Sequence, residues 1–63
     1  MKILKKAWIH ANDLDEMQLN NFIQHLKNNE NIYILTNNGN LEYKILNYKD
    51  NIFNLEFTGR IVV

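Results

Sequence analysis

The sequence predicts an α+β fold, a single helix packed on a three- to four-stranded antiparallel sheet in the order βαβββ(β). Three observations predict it. Leu19, Phe22, Ile23 and Leu26 stand at i, i+3, i+4 and i+7, one apolar stripe at helical period. Beyond residue 31 the period drops to two, most cleanly in Leu41-Glu42-Tyr43-Lys44-Ile45 and again over residues 52–57. Turn-forming asparagine and glycine separate these segments, and twelve of the 63 residues are asparagine.

The first element is a strand over residues 2–9. Ile3, Ala7 and Ile9 share one parity; Leu4, Trp8 and His10 share the other. Apolar groups therefore lie on both sides. Lys5 and Lys6 suit an edge position, where charge blunts unwanted pairing.

The helix is expected over residues 15–28. Asp15 caps its first turn, and Gln18 stands three residues on, where it completes a capping box. Leu14 and Leu19 then occupy the two positions of a hydrophobic staple. Asp13 with Glu16 offers a competing cap two residues earlier. Asn28, Asn29 and Asn31 end the pattern, because asparagine is a poor helix-interior residue that tolerates turn geometry.

The sheet follows. Ile32-Tyr33-Ile34-Leu35-Thr36 is rich in β-formers. Asn38-Gly39 is a strong hairpin signal, since both residues accept positive φ. Lys49-Asp50-Asn51 is a second turn. Phe53, Leu55 and Phe57 then alternate with Asn54 and Glu56. Thr58-Gly59 reads as a third reversal, leading into Arg60-Ile61-Val62-Val63. The expected core is Leu19, Phe22, Ile23, Leu26, Ile34, Leu41 or Tyr43, Ile45, Phe53, Leu55 and Phe57, with Ile3 and Trp8 added if the first strand joins the sheet.

Length and composition bound the rest. Sixty-three residues accommodate one small domain, 1–63, with a single core. Such a domain has a net stability on the order of 3–5 kcal/mol. Cysteine, serine and proline are absent, so disulfides, thiolate metal sites and the usual serine or cysteine nucleophiles are excluded. Net charge is zero, unlike that of a strongly basic nucleic-acid protein. Asp13, Asp15 and Glu16 are accounted for by the helix start, and His10 and His25 are too few for a zinc cluster. No enzyme activity, cofactor or metal is expected. No stretch has membrane-span or signal-peptide character, so a cytoplasmic location without a membrane partner is expected.

Function is read from unsatisfied parity. Tyr33 and Leu35 face away from Ile32 and Ile34, and Leu4 and Trp8 face away from Ile3 and Ile9. One helix covers only one sheet face. The expectation is a non-enzymatic protein-interaction or self-associating module, with a protein partner or a homodimer, anchored on Trp8, Tyr33, Leu35 and Leu4.

Residues 19–57 also resemble the N-terminal helix and first three strands of the Sm-like RNA-binding proteins of the Hfq type. The resemblance rests on a helix carrying Phe22 and Leu26, the strand 32–36, the Asn38-Gly39 loop, and Leu41, Ile45, Tyr48 and Leu55 at positions usually apolar in the first Sm motif. Tyr43 stands where that family commonly has glycine, and only residues 58–63 remain for the second Sm motif. The resemblance implies single-stranded RNA binding by a homo-oligomeric ring. Tyr33, Tyr43 and Tyr48, interleaved with Lys44, Lys49 and Arg60, are the residues expected to carry such binding, which is the alternative function.

Overall fold

A computed structural model describes residues 3–63. Strand β1 (Lys6–His10) leads through a short 3-10 turn, Ala11–Asp13, to helix α1 (Glu16–Lys27). Three strands follow: β2 (Ile32–Thr36), β3 (Gly39–Lys49) and β4 (Ile52–Val62). They form one antiparallel sheet in the order β1-β4-β3-β2. The chain therefore crosses from one edge of the sheet to the other by way of α1. The α+β class and the βαβββ order are those the sequence predicts.

The helix starts where its capping chemistry says. Asp15 Oδ1 accepts the Gln18 N–H at 2.8 Å, and Gln18 Oε1 accepts the Asp15 N–H at 3.0 Å. This reciprocal pair satisfies two otherwise orphaned donors. The rival cap at Asp13 does not form, because Asp13 closes the 3-10 turn. Asn29, with φ 58°, follows the end of the helix in the left-handed region.

Leu19, Phe22, Ile23 and Leu26 pack on one sheet face, where Ile32, Leu41, Tyr43, Ile45, Phe53 and Leu55 are buried. The Phe22 ring meets Phe53 edge-on at 5.2 Å, and Tyr48 stacks on Phe53 from β3 at 4.1 Å. Phe53 is the pivot of the core and is wholly buried. Parity in β1 resolves as Ala7 and Ile9 inward, with Ile3 packed against the same core, and Trp8 outward. Two expectations are corrected. Leu41 and Tyr43 are both core residues rather than alternatives, since they lie two apart on one strand face. Trp8 does not complete the core, because its even parity turns it away from α1. Ala11 also joins the core, where the chain turns off β1. The first strand begins at Lys6 rather than residue 2, and Met1 and Lys2 lie outside the described residues.

The turns differ from expectation in two places. Thr36 pairs with Gly39, so the tip of the β2–β3 hairpin is Asn37-Asn38, and of these three following residues only Gly39 has positive φ, 112°. Thr36 Oγ1 accepts the Asn38 N–H at 3.1 Å and donates to the Gly39 carbonyl at 3.0 Å, which pins this register. Asp50 and Asn51, with φ 53° and 63°, make the mirror-image two-residue turn that suits a hairpin. Thr58-Gly59 is no reversal. Strand β4 runs through it to Val62, and Gly59 with φ 96° sits in a bulge. Between the pairs Tyr43↔Phe57 and Leu41↔Ile61, β4 advances four residues while β3 advances two. The surplus bends β4 and keeps it on β3. A second irregularity, at Leu46, turns Tyr48 to the helix side together with Ile45.

Candidate protein-interaction surface

The strand register defines the face that α1 leaves uncovered. Across it run Lys6, Glu56 and Lys44; then Trp8, Asn54 and Asn47; then His10, Ile52 and Lys49. Toward the other edge stand Glu42 with Tyr33, and Asn40 with Leu35. Polar pairs knit this face. Lys6 Nζ lies 2.6 Å from Glu56 Oε2, and Asn54 Nδ2 donates to Asn47 Oδ1 at 2.7 Å. The hydrogen bond and charge of Lys6 hold the Glu56 carboxyl below its ordinary pKa.

Glu42 is the unexpected member. It lies on the uncovered face yet is only 7% exposed. Tyr33 of β2 donates to Oε2 at 2.7 Å, Thr58 of β4 donates to Oε1 at 2.9 Å, and Arg60 Nη1 stands 3.9 Å from Oε2. The hydroxyl bonds from Tyr33 and Thr58, helped by Arg60, outweigh the desolvation of the carboxylate and lower its pKa. The same bond raises the pKa of Tyr33, because ionising the phenol would lose a donor and set two anions together. Sequence alternation places Glu42 outward but carries no signal of its burial. That burial depends on the β4 bulge, which brings Thr58 and Arg60 over it.

The four residues expected to anchor an interface are all substantially exposed: Leu35 at 79%, Trp8 at 62%, Leu4 at 54% and Tyr33 at 52%. The fold does not gather them into one patch. Tyr33 and Leu35 lie on edge strand β2. Trp8 lies on the opposite edge strand β1, with Leu4 just before it, three strand spacings or about 14 Å away. Sequence reasoning did not single out Leu46, which is 39% exposed at its bulge.

The tyrosines expected to interleave with lysines do not converge. Tyr43 is buried beneath α1, and its hydroxyl donates to the Leu4 carbonyl at 2.9 Å. Tyr48 stacks on Phe53 on the helix side, and only Tyr33 lies on the uncovered face. The cause is the odd parity of Tyr43 in β3 and the bulge that reverses parity before Tyr48. Lys44, Lys49 and Arg60 do stand on or beside the uncovered face.

The two sheet edges differ in chemistry. Lys6 opens β1, and Lys5 precedes it with Nζ donating to the Phe57 carbonyl at 2.9 Å. Strand β2 has no charged residue, no proline and no glycine. Among the described residues, nothing pairs with its outer edge. No pocket, and no group of three or more His, Asp or Glu side chains placed to hold a metal, is formed among the described residues. No helix among them is long and apolar enough to cross a membrane.

No protein-family model, curated protein or solved structure matches this chain.

Proposed function

We propose that this chain is a non-enzymatic protein-interaction module that docks its partner along the free edge of β2. The observation that carries the reading is Leu35, 79% exposed on an uncharged edge strand. Free edges are ordinarily guarded by lysine, proline or a bulge, and β2 has none of these. An added strand would take main-chain hydrogen bonds from that edge, with Tyr33 and Leu35 supplying side-chain selectivity. Trp8 and Leu4 provide a second, separate contact at the far edge.

The test is affinity capture with the wild-type chain and with Leu35→Lys as matched baits. Leu35 is exposed, so the substitution leaves the core intact, and circular dichroism checks this. Proteins retained by the wild type and lost with Leu35→Lys support the reading. Identical captured sets overturn it.

Single-stranded RNA binding is the second reading, and one observation favours it. Lys6, Lys44, Lys49 and Arg60 border the uncovered face with Trp8 and Tyr33, and among the described residues the side-chain carboxylates there are those of Glu42 and Glu56. Asp13, Asp15, Glu16, Glu30 and Asp50 lie in the helix region and the turns. The chain is neutral overall, but this face is basic. Fluorescence anisotropy with a short single-stranded RNA decides: binding that weakens as salt rises supports this reading, and no binding at low salt removes it.

A further inference from the structure

We propose that the occupant of the β2 edge is a second copy of this chain, paired antiparallel about a two-fold axis through Ile34. The proposal rests on the reading of β2 as a docking strand and names its partner.

The geometry restricts such pairing strongly. Directly opposed residues in an antiparallel pair project to the same sheet face. A two-fold pairing that continues both faces must therefore be centred on a residue, not between residues. Centring on Ile34 uses all five residues of β2, setting Ile34 against itself, Tyr33 against Leu35 twice, and Ile32 against Thr36 twice. Centring on Tyr33 or Leu35 would draw Asn31 or Asn37 into the ladder and leave one end of β2 unpaired. The strand is thus self-complementary about Ile34: β-branched residues on the helix side, an aromatic against an aliphatic on the uncovered side. Tyr33 and Leu35, both exposed in the single chain, would bury apolar surface against each other across the new pair.

Charge selects β2 over β1 for the same role. A lysine on an edge strand opposes strand addition, since its charge must be desolvated or matched across the new pair. Strand β2 carries none. The cross-strand neighbours behind it are Asn40, beside Leu35, and Glu42, beside Tyr33. Glu42 is already screened by Tyr33, Thr58 and Arg60. Centring β1 on Trp8 would set each Lys6 opposite the partner's His10, with no carboxylate across the new pair to meet its charge. Joining β1 to β2 instead gives a head-to-tail contact, which closes only as a ring or grows without end. Pairing β2 with β2 closes at two copies, giving one eight-stranded sheet from the two four-stranded ones, with both helices on the same side.

A five-residue strand is about 17 Å long, so the interface belongs to the smallest class and the dimer dissociates on dilution. Sedimentation velocity over a concentration series of the full chain tests it. The expected result is a reversible monomer–dimer equilibrium that Leu35→Lys weakens by about tenfold or more, as loss of an interface anchor does. A second experiment reads the register. The chain has no cysteine, so Tyr33→Cys and Leu35→Cys variants can be mixed in equal amounts and oxidised. Opposed strand positions lie within disulfide reach, so the mixed disulfide should exceed either same-variant disulfide by about fivefold. A dominant Leu35→Cys homodisulfide overturns the register. A ring or polymer, or a wild type that stays monomeric at every concentration, overturns the two-fold pairing. A monomeric wild type whose captured proteins still depend on Leu35 overturns only the second copy as occupant. Monomer together with capture indifferent to Leu35 removes the docking strand as well.

Discussion

The Tyr33 hydroxyl donates to Glu42 Oε2 at 2.7 Å, tying the free edge strand to the middle of the sheet. Glu42 in turn holds Thr58 and Arg60 beside the β4 bulge. One carboxylate thus joins β2, β3 and β4 on the face that the helix does not cover.

This network makes stability depend on pH in a stated direction. Glu42 has a lowered pKa in the folded protein, so its contribution is present above the ordinary carboxylate value of 4.5 and is lost as pH falls through the folded value. Glu56, lowered chiefly by its bond with Lys6, acts in the same sense. Urea midpoints measured downward from pH 7 should fall more steeply for the wild type than for Glu42→Gln. Glu56→Gln should keep the Glu42 share of the slope. Equal slopes for wild type and both variants would refute the assignment.

The alkaline limb has the opposite sign. Tyr33 has a raised pKa, so its bond contributes below the ordinary phenol value of 10.0 and is lost as pH rises through the higher folded value. Ultraviolet titration should show late phenol ionisation that Tyr33→Phe diminishes. Its undiminished persistence in Tyr33→Phe would assign it to another tyrosine.

Phe53 is wholly buried between the Phe22 and Tyr48 rings. Truncation of a core phenylalanine costs about 3–5 kcal/mol. A domain of this size has a total stability of about that amount. Phe53→Ala should therefore leave the chain largely unfolded at 25 °C by circular dichroism. Trp8→Ala, which removes a larger but exposed ring, should keep native helix content. A folded Phe53→Ala would mean that the core closes over the cavity.

The two glycines should respond unequally to alanine. Both have positive φ, which costs a residue with a side chain about 1–3 kcal/mol. At Gly59 an added Cβ meets open space. At Gly39 it would lie 3.0 Å from the Val62 carbonyl oxygen and 3.3 Å from Ile61 Cγ2. Thermal melts should rank wild type above Gly59→Ala, and Gly59→Ala above Gly39→Ala. The reverse order would place the tight approach at the wrong glycine.

Replacing Asp15 with alanine should cost about 1 kcal/mol, the usual value of an N-cap. The capping box is fully formed, and the rival Asp13 is occupied in the 3-10 turn. Asp13→Ala should therefore change helix stability much less in a urea titration. A larger effect at Asp13 would show that the helix starts two residues earlier in solution.

The sequence by itself determined the elements whose signal is local. Helix α1, its capping box and the Asp50-Asn51 turn follow from interactions within a few residues, so spacing alone specifies them. The strand alternation likewise determined that Tyr33 and Leu35 share a face opposite Ile32 and Ile34. The tertiary structure decided which of those faces meets the helix, because parity separates two sets without saying which is covered. It decided that Thr58-Gly59 is a bulge, since a positive φ serves a turn or a bulge equally and only pairing with β3 distinguishes them. It also decided the fate of the tyrosines and of Glu42. Tyr48 turned inward through a register shift at Leu46, and Glu42 became buried through Thr58 and Arg60, sixteen and eighteen positions along the chain. These outcomes depend on contacts between distant segments, which no local pattern encodes.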